Sequence, residues 1–182
     1  MDDDFASAPA PAEPPPRRPE ETRLVLRGVR RHLTRLGLAV VDEMPLASGR
    51  RADVVGLAAD GEIWIVEVKS SVEDFRVDHK WPFYRLHCDR LFFATSPRVP
   101  LDIFPEDCGL IVADAHDAEI LRPAPEHRLA AATRKATTLR FARLAASRLQ
   151  ALIDPRDLGN VDVERPRDGG PAAHGPDGSQ TT

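Results

Sequence analysis

The chain has 182 residues, 42% of them hydrophobic and 30% charged, with a formal net charge of −4; this balance fits one globular domain with extensions and excludes a polytopic membrane protein. Two cysteines, Cys88 and Cys108, and six scattered histidines exclude a disulfide framework and a four-ligand zinc site, and both thiols are expected to be buried and reduced. The acidic amino end, Met1-Asp2-Asp3-Asp4, lacks the basic start and apolar stretch of a secretory signal, which predicts a cytoplasmic protein without a membrane partner.

In chain order, residues 1–20 carry six of the 17 prolines and read as a disordered acidic Pro/Ala-rich tail. Residues 154–182, rich in glycine and proline, read the same way. The folded part is expected over 21–153, where 20 basic side chains face 18 acidic ones. The acidic tails thus mask a weakly basic domain, and the net charge does not argue against a nucleic-acid partner.

Residues 22–36 place Leu26, Val29, Leu33 and Leu36 at helical spacing, with Gly37 as a left-handed cap. Strands follow at 38–44, 51–58 and 62–69, an antiparallel meander with a Ser48-Gly49 turn between the first two. Ser71-Val72-Glu73-Asp74 has the form of a capping box for a short helix, and Asp78 is expected to cap a second helical segment reaching Cys88. Short apolar runs at 91–95 and 110–114 suit buried strands, with a further strand at 119–121. A long helix over 127–153 closes the domain, with Leu129, Ala132, Ala136, Leu139, Leu149 and Ile153 expected inward. That segment holds no acid but six arginines and lysines.

Asp53 and the run Glu67-Val68-Lys69 carry the chemistry. In a strand, residues 67 and 69 share a face and Trp64, Val66 and Val68 take the other, which would hold an ionised pair out of the core. A two-residue Asp60-Gly61 turn would put Asp53 opposite Val68. A three-residue Ala59-Asp60-Gly61 loop, a type I turn closed by a left-handed glycine, pairs Ala58 with Glu62 and hence Asp53 with Glu67, and the residue types favour it. Two facing carboxylates call for a cation between them, with Mg²⁺ or Mn²⁺ the ordinary solution for oxygen ligands. Such an ion, with Lys69 beside it, suits phosphodiester hydrolysis. The competing reading is a solvated strand face with an exposed ion pair.

Gly49-Arg50-Arg51-Ala52-Asp53, Glu67-Val68-Lys69-Ser70-Ser71, Asp74-Phe75, Asp78, Lys80-Trp81, Tyr84, Cys88-Asp89 and Phe93-Ala94 together resemble the MmcB family of bacterial DNA-repair proteins, over roughly residues 22–150. The resemblance implies a place in the PD-(D/E)XK nuclease-like superfamily: an α/β fold with a restriction-endonuclease-like core, a central mixed β-sheet flanked by helices. It also implies work at the nucleoid in the response to DNA damage. By motif position, Asp53 and Glu67 become metal ligands, Lys69 the catalytic lysine and Glu43 an accessory acid. Arg51-Ala52 stand before Asp53 where the literal motif has proline.

Arg51, Lys80, Trp81, Tyr84, Arg134 and Lys135 are the expected DNA contacts, Lys80 on a phosphate and the aromatic pair stacking an unpaired base. For Trp81 and Tyr84 the competing reading is that they cover the sheet, and for Arg134 and Lys135 that they lie on a solvated helix face. The expected partner is damaged, branched or single-stranded DNA, with a repair protein or a second copy of the chain in addition. Two functions follow: a metal-dependent nuclease, or a catalytically silent module that binds DNA or recruits other repair factors. A metabolic enzyme lacks support, because the chain has neither a glycine-rich phosphate loop nor a nucleophile elbow.

Overall fold

The structure, a computed structural model, describes residues 18–76 and 81–155. The expected tails therefore fall almost wholly outside the described residues, as do Asp78 and Lys80. Within them lies a six-stranded sheet in sequential order: β1 Ala39–Pro45, β2 Arg51–Leu57, β3 Ile63–Val68, β4 Arg90–Thr95, β5 Gly109–Ala113 and β6 Ala118–Arg122. The sheet is mixed. The β1–β2–β3 meander is antiparallel, β3–β4 and β4–β5 are parallel, and β6 returns antiparallel to β5.

Helix α1, Arg18–Arg35, covers one face. Its buried stripe is Val25, Val29 and Leu33, each no more than 1% exposed, packed with Val54, Val66, Phe92 and Ile111. This differs from the expected stripe, since Leu36 is 51% exposed and Val25 takes the inward position. Gly28 explains the rotation: a Cβ there would stand 2.3 Å from the Asp114 carbonyl oxygen and 2.4 Å from that of Asp117, so a bare backbone lets the helix lie against the β5–β6 turn. Gly37, at φ +85°, ends the helix as expected, with its N–H on Thr34 O and the Leu38 N–H on Leu33 O, each at 3.0 Å.

The other face is covered by α2 Val72–Arg76, a 3₁₀ segment Trp81–His87, and α3 Ala131–Ile153. Beneath them lie Val55, Ile63, Ile65, Leu91, Phe93 and Phe104, with Tyr84 and Phe141 pressing in from above. The second helical segment is present as a 3₁₀ turn over Trp81–His87, whereas α3 starts four residues later than expected. Its inward side chains are Thr137 and Phe141, with Leu144 and Ala145 half-buried, whereas Leu139, Leu149 and Ile153 are 54%, 58% and 69% exposed.

Asp89 anchors that rotation of α3. Its carboxylate, 2% exposed, accepts the Ile63 N–H at 2.8 Å, the Leu129 N–H at 2.9 Å, and both terminal nitrogens of Arg134 at 2.6 and 2.7 Å. Arg134 also donates to the Gly61 carbonyl oxygen at 2.7 Å. Burial alone would raise the Asp89 pKa, but the guanidinium and the two amides outweigh it and hold the carboxyl below its usual range. Cys88 and Cys108 are buried free thiols, and burial raises both. No helix among the described residues is long and apolar enough to cross a membrane.

Candidate active site

The turn between β2 and β3 sets the site. Gly61, at φ +86°, donates to Ala58 O at 3.0 Å, and the Ala58 N–H donates to Glu62 O at 2.9 Å. The ladder then runs Leu57–Ile63, Gly56–Trp64, Val55–Ile65 and Val54–Val66, so Asp53 falls opposite Glu67. This is the three-residue register expected from Ala59-Asp60-Gly61.

Beyond Val54 and Val66 the two strands no longer pair by backbone alone. The Val68 N–H goes to Asp53 Oδ2 at 2.8 Å, and the Asp53 N–H goes to Glu67 Oε1 at 3.2 Å. The carboxylates bridge the fork where the backbones part. Across β1 the ladder likewise omits one pair, stepping from Asp42–Val54 to Met44–Ala52. The residue left out opposite Asp53 is Glu43, with a left-handed backbone at φ +47°, a conformation that costs an L residue roughly 1–2 kcal/mol. Such strain gathers at functional sites.

Glu67 does not stand out of the core as the strand alternation implied. It is 3% exposed, because the 3₁₀ segment lays Tyr84 over this end of β3. Burial first, and the Asp53 charge second, push its pKa up to about 8, against the opposing pull of the Asp53 amide, Lys69 and the Tyr84 hydroxyl. Asp53 is also raised, mainly by burial, while the Val68 amide, Lys69 and Arg51 pull it down. Lys69 thus acts on both carboxylates, and its backbone is fixed through N–H to Ala94 O at 2.9 Å and through its carbonyl to Thr95 Oγ1 at 2.7 Å. Asp53, Glu67 and Lys69 are brought together.

Glu43 is on the rim. Its side chain is 58% exposed and pairs with Arg51 at 3.5 Å, near enough to Asp53 to raise it but turned to solvent. Among the described residues no three His, Cys, Asp or Glu side chains group as a metal cage, so Asp53 and Glu67 stand as a pair. Tyr84 is 8% exposed and donates to the Arg51 carbonyl oxygen at 3.3 Å. It is a wall of the site rather than an open stacking surface. Trp81 is half-buried edge-on to Phe93, 5.7 Å between centroids, with the Arg85 guanidinium 5.0 Å over its own ring.

Arg134 and Lys135 lie elsewhere. Arg134 reaches Gly61 at the turn end of β3, six residues from Glu67 and about 20 Å along the strand, and its guanidinium is engaged by Asp89. Lys135 is exposed beside it. A largely apolar cavity of about 230 Å³, lined by Leu24, Val25, Pro97 and Ala113, lies on the α1 side of the sheet, away from the carboxylates. Sequence reasoning did not foresee Tyr84 as a partner of Glu67; the adjacency of Lys80, Trp81 and Tyr84 in one motif was its only signal.

A comparison with curated proteins finds no match. Among solved structures, the SPO1766 protein of unknown function from Silicibacter pomeroyi is 47% identical, with a TM-score of 0.75, over 78% of this chain and 97% of that one. The model of one family, described as DNA repair protein MmcB-like, matches residues 10–156. With that match covering most of its length, including every residue of the carboxylate site, the chain belongs to the MmcB-like family of DNA repair proteins.

Proposed function

We propose that this chain is a metal-dependent nuclease of the PD-(D/E)XK type, hydrolysing DNA phosphodiester bonds in repair. The observation that carries the reading is the buried, facing pair Asp53 and Glu67 with Lys69 beside both. A carboxyl forced into the core beside a second one, its pKa near 8, is a costly arrangement for stability alone and is relieved by a divalent cation. The donor set fits: hard oxygens from two carboxylates, with phosphate and water completing the shell, are how Mg²⁺ is commonly held.

A Mg²⁺ or Mn²⁺ ion bound there would supply Lewis-acid polarisation and a more acidic water. The chain's own residues do the rest. Asp53 and Glu67 are pre-oriented by the amides they accept, and Tyr84 keeps the Glu67 carboxyl turned toward β2. Glu67 holds a proton at neutral pH, and a cation bound there would take that proton's place. As water attacks phosphorus and the P–O bond to the leaving oxygen breaks, the Lys69 ammonium faces the growing negative charge on the phosphoryl oxygens.

One observation favours the silent module instead: both carboxylates already accept a strand amide, work that a structural clasp would also do. Incubation of the pure protein with labelled duplex, single-stranded, nicked and branched DNA, with Mg²⁺, Mn²⁺ or EDTA, separates the two. Metal-dependent cleavage lost in Asp53→Asn establishes the nuclease. Binding without cleavage under every divalent ion establishes the module.

A further inference from the structure

The 3₁₀ segment beside the site spends its aromatic residues unequally. Tyr84 is buried and Trp81 half-buried, but Phe83 between them is 51% exposed, a large apolar ring turned to water on the segment that lays Tyr84 over Glu67. Above it lies the Arg50 guanidinium, 4.9 Å from the ring centroid. Arg50 makes no ion pair among the described residues and belongs to the turn that leads into β2, three positions before Asp53. Tyr84, next in sequence to Phe83, touches the Arg51 carbonyl, so the Phe83–Arg50 stack borders the site through two adjacent residues.

We infer that Phe83 and Arg50 form a binding platform for an unpaired DNA strand entering the carboxylate site. The inference rests on the reading of that site as one for DNA and adds the form of the substrate. An exposed aromatic face offers stacking to a nucleobase only where the base is free of its duplex neighbours, and stacking of this kind does not depend on sequence. An arginine already lying on the ring adds a cation that stacks on the base or reaches its phosphate. Local charge suits a polyanion: Trp81–His87 contains no acid, and the Arg50 guanidinium, which makes no ion pair among the described residues, lies over the ring. The apolar area is one ring with Leu86 near it, too little for a stable protein interface but enough for a base.

The test is binding of labelled single-stranded and duplex oligonucleotides in EDTA, where cleavage plays no part, by full-length wild type, Phe83→Ala, Phe83→Trp and Arg50→Ala. Melting temperatures verify that each variant folds. Phe83→Ala is expected to weaken single-strand binding about tenfold with little change on duplex. Phe83→Trp is expected to retain affinity and to add, to the emission of Trp64 and Trp81, a component that single strands quench and duplex does not. Arg50→Ala is expected to weaken single-strand binding and reduce its salt dependence. Single-strand affinity unchanged in a folded Phe83→Ala, equal losses on both forms of DNA, or no binding by wild type overturns the inference. Cleavage with Mg²⁺ is scored separately, so a protein that binds through Phe83 but never cuts retains the platform and loses the nuclease.

Discussion

Asp53 and Glu67 stand opposite each other on neighbouring strands, and each is tied to the other's strand through a side chain: the Asp53 amide donates to Glu67 Oε1 and the Val68 amide to Asp53 Oδ2. The chemistry and the local fold therefore share the same two carboxyl groups. Replacing either alters both, and isosteric substitutions that keep the acceptor oxygen are the informative ones.

For Glu67 the linkage with pH has a definite sign. Its folded pKa, about 8, lies above the ordinary 4.5, so the folded state holds the proton that the unfolded chain gives up. The stability associated with this proton is complete below about pH 4.5 and is lost as pH rises toward 8. Glu67→Gln should flatten that decline in urea titrations at pH 5, 6.5 and 8. Wild-type Mg²⁺ binding should strengthen over the same range and release up to one proton, read by calorimetry in buffers of different ionisation enthalpy. A proton count of zero at pH 7 would refute the assignment.

Tyr84 should tune that titration. Its hydroxyl lowers the Glu67 pKa and holds the Arg51 carbonyl. Tyr84→Phe should shift the pH dependence of metal binding upward while costing about 1 kcal/mol of stability, the usual worth of one hydrogen bond. A loss of stability with no shift in the pH profile would assign Tyr84 to packing alone.

Arg134 presents the opposite case, a cation that reads as a phosphate contact and is held by a buried acid. Removing one partner of a buried pair costs roughly 3–5 kcal/mol, so Arg134→Ala and Asp89→Asn should each lower the unfolding free energy by amounts of that order. The double variant should lose much less than the sum. Lys135→Ala, on the exposed side, should leave stability unchanged.

These residues mark how far the sequence carries. The β2–β3 register was legible because Ala59-Asp60-Gly61 has one favoured loop geometry and strand alternation then places residue 53 against residue 67. The burial of Glu67 was not, because alternation names a face without naming what covers it, and Tyr84 arrives from 17 residues along the chain. The inward stripe of α3 was misplaced for a similar reason. Leu139, Leu149 and Ile153 outweigh Arg134 and Thr137 in an apolar count, whereas the helix is turned by a salt bridge to Asp89, 45 residues away. Pairings of that separation leave no local pattern.

Lys69 offers the sharpest division between binding and catalysis. Its ammonium is near enough to both carboxylates to lower their pKa values, and in the proposed reaction it meets charge that exists only as the phosphorus becomes five-coordinate. An interaction made in the transition state and absent from the ground state changes the chemical step without changing affinity. Lys69→Ala should thus bind DNA in EDTA as wild type does and cleave it, with Mg²⁺ under single-turnover conditions, roughly a hundredfold or more slowly. Loss of the cation should also raise the Glu67 pKa, moving the metal-binding profile to higher pH, so the rates must be compared at saturating metal. Under those conditions, a variant that cleaves at the wild-type rate would remove Lys69 from the reaction and leave it as the counter-charge of a structural carboxylate pair.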